Sequence, residues 1–185
     1  MAMYRFIKSN QIFPELVFLY QAYKGVDNYR KNLLGMLHVE MMGNQKVLVT
    51  TDGRRMHIFT PSVEVDIAVG DYIMTKPTPS IIQLRTAPVE YKFVNWQRVT
   101  PGDTNPYKGT SRVHMTDTAT TGEVSQAYIA FYKEYQHTIN FEFFHDLRGF
   151  VWDVLWIPDT SKGVWFQGDS PSGYVQAIVM PMNDE

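Results

Sequence analysis

The sequence contains no cysteine. That excludes disulfide staples, thiolate nucleophiles and cysteine-ligated zinc together. It also lacks a charge imbalance: 17 basic and 19 acidic residues give a formal net charge of −2 over 185 residues. Bulk electrostatics therefore do not recruit nucleic acid, and any such contact needs a local basic surface. No apolar run is long enough to span a membrane, and the opening MAMYRFIKSNQIF has no apolar core of the signal-peptide kind, so a cytoplasmic protein is expected. Phosphate-binding loops and dinucleotide fingerprints are absent too. His38, His57, His114, His137 and His145 are scattered with no pair at helical ligand spacing, so neither a metal nor a cofactor is expected.

Other routes to catalysis are thin. His145-Asp146 is a lone dipeptide of the kind found in metal phosphohydrolases, and a helix surface is its simpler home. Ser170 to Gly173, SPSG, lacks the strand–elbow–helix context of a hydrolase nucleophile. Asp52 beside Thr51 sits where a hairpin turn demands Asp-Gly. Trp152, Trp156, Trp165 and Phe166 fall on alternating segments and read as core and sheet-face packing, with single-strand binding near Lys162 as the other use of such aromatics. A small hydrolase using His145 and Asp146 is the rival from the enzyme class.

What the chain does have is apolar mass: 44% hydrophobic and 14% aromatic residues, enough for a core. MYRFIKS alternates and reads as a first strand. SNQIFPELVFLYQAYKG reads as a helix, with Ser9 or Asn10 as cap, Pro14 and Glu15 in the first turn, and Gly25 after the end. Its apolar set, Phe13, Leu16, Val17, Tyr20 and Tyr23, has helical spacing and predicts a core-facing stripe. From Leu33 the period becomes two. Strands are expected in NLLGMLHVEMMGN, KVLVTTDG, RRMHIFTPS, GDYIMTKPT and SIIQLRTAP, with turns at Gly43-Asn44 and Asp52-Gly53. One helix followed by a meander is an α+β arrangement, not a parallel dinucleotide-binding unit.

Residues 101–122 are rich in Gly, Pro, Thr and Asp and read as a linker. EVSQAYIAFYKEYQHT is ambiguous between strand and helix, because short apolar runs are not separated by period alone. Asn140 is placed to cap a short helix that Gly149 stops. VWDVLWIPD, KGVWFQGD and GYVQAIVMPM then predict three strands, with turns at Pro158-Asp159 and Gly168-Asp169.

Several of these stretches resemble one family. NLLGMLHVE and KVLVTTDGRRMHIF look like the middle domain of the bacterial sliding clamp, the β subunit of DNA polymerase III, in which a GML strand precedes a TDGHR turn. FVNWQRVTP is similar to the segment that closes that domain, and the stretch from INFEFFHDL to the terminal MPM is similar to the second half of the clamp's last domain. The resemblance thins over about 102–138. It implies antiparallel sheets with a few short helices packed on one face. It implies a first lobe at 1–103 and a second at 104–185, or one expanded domain with an insertion at about 102–138. Bacterial clamps have three domains per chain, and this chain keeps the front of the middle one and the rear of the last.

The resemblance also implies a role without bond chemistry: a processivity factor in DNA replication or repair, or a docking platform derived from one. The partners would be clamp-binding peptides of DNA polymerase, clamp loader or repair proteins, and double-stranded DNA. A homo-oligomer is implied, because one chain of this size is too small to close around a duplex. A modulator or decoy that takes such peptides without encircling DNA is the alternative. The family's peptide pocket maps onto Leu33, Thr51, Arg54, Arg55 and Met56, then Arg98 and Val99, then Ile178, Met180, Pro181 and Met182. Leu, Val, Ile and Met make an adaptable apolar cleft, and arginine at its rim holds a peptide carboxylate or carbonyl. Two departures stand out: Arg54 replaces the family's histidine, and the chain ends in acidic NDE. The cations available for DNA are few, namely Lys8, Lys24, Arg30, Lys31 and Arg148.

Overall fold

The computed structural model describes residues 3–99, 110–155 and 163–182. In chain order its elements are β1 (Met3–Ile7), α1 (Phe13–Tyr23), α2 (Lys31–Leu34), β2 (Leu37–Met42), β3 (Gln45–Thr51), β4 (Arg55–Pro61), β5 (Gly70–Met74) and β6 (Ile81–Thr86). A 3-10 turn at Trp96–Val99 follows, and then β7 (Thr110–Met115), α3 (Thr121–Tyr135), α4 (Phe141–His145), β8 (Phe150–Leu155), β9 (Val164–Ser170) and β10 (Gly173–Val179). The ten strands form one antiparallel sheet in the order β1-β6-β5-β2-β3-β4-β10-β9-β8-β7. No helix among the described residues is long and apolar enough to cross a membrane.

Strand alternation sorts side chains onto two faces. Leu48, Phe59, Phe166, Val175 and Ala177 turn toward α1, α3 and α4 and pack with Phe18, Leu19, Phe131 and Phe144 in the main core. Val47, Val49, Met56, Ile58, Trp165 and Ile178 occupy the opposite face, where Trp96 covers them as a second, smaller cluster. The two halves of the chain meet where β4 pairs with β10, with Ile178 opposite Met56 and Val179 opposite Arg55.

Four local expectations need correction. Helix α1 starts at Ile12 without a side-chain cap, because the Asn10 carboxamide accepts instead from the Ile7 amide. Its buried stripe is rotated from the expected one: Phe18, Leu19, Ala22 and even Glu15 are buried, while Val17, Tyr20 and Tyr23 are only partly so. The Glu15 carboxylate is accommodated by an O–H donated from buried Ser172 at 2.6 Å. Gly168-Asp169 is not a turn but lies inside β9, and the turn falls at residues 171–172. Gly168 is there for close approach, since a Cβ would collide with the Val151 carbonyl of the neighbouring strand. Finally, the expected linker contains β7, the edge strand beside β8.

The ambiguous stretch after it is helix α3. Its start is a capping box in which Thr120 Oγ1 accepts from the Glu123 amide and the Glu123 carboxylate accepts from the Thr120 amide. The Thr120 hydroxyl also donates to that carboxylate, at 2.8 Å, and the bonds from the Thr120 amide and hydroxyl hold the Glu123 carboxyl below its ordinary pKa. Asn140 does cap α4, accepting from the Glu142 amide at 2.8 Å. Trp156, the Pro158-Asp159 turn, Lys162 and the terminal NDE lie outside the described residues.

Candidate functional site

The β3–β4 turn is more than a tight reversal. Gly53 takes φ +86°, a conformation glycine adopts without strain. Asp52 Oδ1 accepts from the amides of Arg54 and Arg55, both at 2.9 Å. Thr51 Oγ1 donates to the Arg55 carbonyl at 2.6 Å and accepts from the Gly53 amide at 3.1 Å. This lattice fixes the start of β4, and alternation does the rest: consecutive residues of a strand face opposite ways.

Arg55 therefore points to the helix side. Its Nε donates to Asp52 Oδ2 at 3.0 Å, its Nη1 to Asp146 Oδ2 at 2.6 Å, and its Nη2 to the Gln21 carbonyl at 2.7 Å. The guanidinium also lies over the Phe143 ring, 4.3 Å from its centroid. Thr50 and His57 serve the same helix end, bonding the carbonyls of Leu19 and Phe18. These side chains fasten the last turns of α1 to the sheet, and of the three acceptors Gln21 is the one among the helix's final carbonyls. His57 is buried and stacked on Phe18, and burial, then the Arg55 charge, lowers its pKa to about 3.

Met56 points the other way, into a cavity of about 240 Å³ on the outer face of the sheet. Its walls come from four parts of the chain: Leu34; the turn from Thr51 to Met56; Val94 to Trp96 with Val99; and Ile178 with Met180 on the β10 side. The Met180 amide donates to the Arg54 carbonyl at 2.9 Å, so the chain leaving β10 is pinned to the turn. Of the residues expected at one site, Thr51, Arg54, Arg55, Met56, Val99, Ile178 and Met180 line this one cavity. Leu33 does not, being 46% exposed, and its buried neighbour Leu34 takes the place. Arg98, Pro181 and Met182 lie off the wall; Pro181 bridges Ile139, and the Met182 amide donates to the Thr138 carbonyl. Arg55 contributes to the wall, but its guanidinium is consumed on the other face and is not a rim donor.

The segment over the cavity is held by residues the sequence did not single out. Trp96 Nε1 donates to Glu40 Oε1 at 2.7 Å, and Phe93 stacks on His38 with centroids 4.9 Å apart. His38 Nδ1 lies 2.6 Å from Asp71 Oδ1. A tryptophan among polar neighbours in an aperiodic stretch is the signal that could have found this clasp, since a buried indole N–H needs an acceptor.

The architecture has solved counterparts. The chain matches DNA polymerase III subunit beta from Borrelia burgdorferi, solved in complex with a natural product, with a TM-score of 0.58 at 10% identity. That alignment covers 100% of this chain and 65% of the other. The Helicobacter pylori beta clamp in complex with 3,4-difluorobenzamide gives a TM-score of 0.54 at 9% identity, covering 99% of this chain and 67% of the clamp. The Pseudomonas aeruginosa sliding clamp bound to griselimycin gives 0.54 at 12% identity, covering 98% and 65%. The fold is that of the bacterial DNA sliding clamp. No protein-family model and no curated protein sequence matches the chain. The clamp likeness is thus one of fold, and the chain spans about two thirds of the clamps' length.

On this clamp fold the five cations expected at DNA are dispersed. Lys24 pairs with Asp146 at 3.2 Å, and Arg148 donates to the carbonyls of His145 and Ala119. Lys8 follows β1, and Arg30 and Lys31 lie between α1 and β2, so none of these three is on α1, α3 or α4. The outward residues of α1 are Pro14, Val17 and Gln21, and α3 shows Glu123, Lys133 and Glu134. The hydrolase pair fares no better, because Asp146 is taken by Arg55 and Lys24. No cluster of metal-ligating side chains occurs among the described residues.

Proposed function

We propose that this protein is a clamp-fold docking platform that binds short linear peptides, carries out no bond chemistry, and serves DNA replication or repair by recruiting enzymes that carry such peptides. The observation supporting this reading is the cavity itself. Segments more than one hundred residues apart in sequence, at Met56 and at Ile178, are ladder partners and build one apolar wall. A site of leucine, isoleucine, valine, two methionines and a tryptophan edge suits one or two apolar side chains of an extended peptide. Clamps of the same fold have been solved with small molecules bound.

The test is direct. A fluorescein-labelled peptide carrying adjacent leucine and phenylalanine is titrated with the protein and followed by anisotropy. Met180→Ala is expected to weaken binding about 10-fold or more, the size of losing a buried apolar contact. Absence of binding by the wild type removes the reading.

The fold also supports a second reading, in which several copies encircle duplex DNA. The sheet ends in two edge strands, β1 and β7, neither paired to a further strand among the described residues. A strict monomer by gel filtration at micromolar concentration removes this one while leaving the docking reading intact.

A further inference from the structure

A second cavity, of about 520 Å³, opens on the helix side of the same turn. It adjoins the apolar one: Arg54 and Arg55 line both. Around it stand Lys24, Arg54, Arg55 and Lys76 against Asp52 and Glu142. Arg55 is neutralised by Asp52 and Asp146, and Lys24 shares Asp146. Arg54 and Lys76 are exposed, and among the described residues their side chains form no ion pair or hydrogen bond. Cations outnumber carboxylates here even with Asp146 counted. A third cation stands close by: the Arg30 guanidinium lies over the Tyr29 ring, and a Cβ at Gly53 would be 3.2 Å from its Nη1.

We propose that the occupant of the apolar cavity is an acidic peptide, whose carboxylate beside the apolar residues is held by Arg54 and Lys76 in the second cavity. The inference rests on the docking reading and adds the charge of the ligand and the residues that select it. Arg54 is the hinge of the argument. Its backbone is fixed by Asp52 and Met180, so its side chain starts from the shared rim of both cavities. An apolar side chain seated against Met56 leaves its neighbours at that rim, where the uncompensated positive charge is. A carboxylate there gains charge-assisted hydrogen bonds from a planar guanidinium that, among the described residues, no protein carboxylate occupies. DNA phosphate is disfavoured as the occupant, because these cations are gathered at one turn beside an apolar pocket, with Asp52 and Glu142 among them, and are not spread along the lengths of α1 and α3.

The experiment uses a set of labelled peptides containing a Leu-Phe pair, with glutamate or glutamine placed one, two or three residues to either side. Binding of at least one glutamate form about 5- to 10-fold tighter than its glutamine twin is expected, the scale of a partly exposed charge pair. Arg54→Gln and Lys76→Gln should each bring the affinity of the glutamate form down to that of its glutamine twin. Equal affinity of every glutamate–glutamine pair overturns this inference and leaves the docking reading standing. A preference that survives in both variants also overturns it. No binding of any peptide overturns the docking reading itself. Displacement of a glutamate peptide by short duplex DNA, but not by excess glutamine peptide, assigns the cations to phosphate and sinks the proposal.

Discussion

Arg55 is 3% exposed, so the carboxylates it holds have no equivalent solvent to fall back on. Removing a partner from a buried ion cluster costs more than the cluster is worth, because the remaining charges stay buried and unpaired. Arg55→Ala should therefore destabilise the protein by about 3–5 kcal/mol in urea denaturation. Loss of peptide binding in that variant would report unfolding and not recognition, whereas Met180, 40% exposed, gives a cleaner probe. Gly25 belongs to the same cluster, since a Cβ there would collide with Asp52 Oδ2. His57 adds a pH dependence whose sign follows from its surroundings. Burial, then the Arg55 charge, lowers its pKa from the ordinary 6.5 to about 3, so the folded state holds it neutral. The unfolded chain binds the proton more readily, so this stability is complete above pH 6.5 and is lost as pH falls toward 3. Unfolding free energies from urea denaturation should fall by about 1.4 kcal/mol from this group for each pH unit lowered across that window. His57→Gln should flatten that slope, and an unchanged slope in the variant would assign it to the carboxylates.

The element that decides access to the apolar cavity is the Trp96–Val99 turn with the segment leading into it. It has few backbone bonds to the sheet, and its fixed point is the indole N–H on Glu40 Oε1, which also accepts from Gln97 Nε2 at 3.2 Å. Glu40→Ala leaves that indole without its charged acceptor, a loss of about 1.5–3 kcal/mol. Hydrogen–deuterium exchange over residues 91–99 should accelerate by about 10-fold or more while β2 and β3 stay protected, and peptide affinity should fall with it. Unchanged exchange there would show that Phe93 stacking alone secures the segment. Such clasps are hard to read in a sequence, because Glu40 and Trp96 are far apart and Trp96 lies in no periodic pattern. The strands were legible for the opposite reason. Alternation from Leu37 to Phe59 and from Phe150 to Val179 is a local property, and turns such as Asp52-Gly53 carry their own chemistry. Alternation also divides the roles of neighbours here: Arg54, Arg55 and Met56 all line the cavity, but the Arg55 guanidinium is spent on the opposite face of the sheet. Helix α3 carried a readable start in Thr120 and Glu123, whereas β7 lies in Thr- and Ser-rich sequence and pairs only because β8 offers it an edge.

For the whole molecule, the arrangement of charge separates a DNA-gripping ring from a docking platform. All the longer helices lie on one face of the sheet, as a duplex-lining surface requires. Gripping a duplex, however, requires cations projecting from them toward phosphates, and each phosphate neutralised contributes about −0.9 to the slope of log K against log salt. The outward side of α1 is uncharged, and α3 offers Lys133 between Glu123 and Glu134. Lys24 and Arg148 are engaged within the protein, while Arg54 and Lys76 line the second cavity and Arg30 stands beside Gly53 of the same turn. Whatever assembly the edge strands permit, the described helices of each copy then present few cations to phosphate along their length. Anisotropy titrations of a labelled duplex between low and physiological salt should therefore give a slope no steeper than about −2 per chain, with weak affinity throughout. A slope of about −5 would mean that the helix face, or the segments beyond it, meets phosphate far more extensively than its charge pattern allows. Under the docking reading the salt dependence appears elsewhere: binding of acidic peptides weakens with salt, and binding of their neutral twins does not.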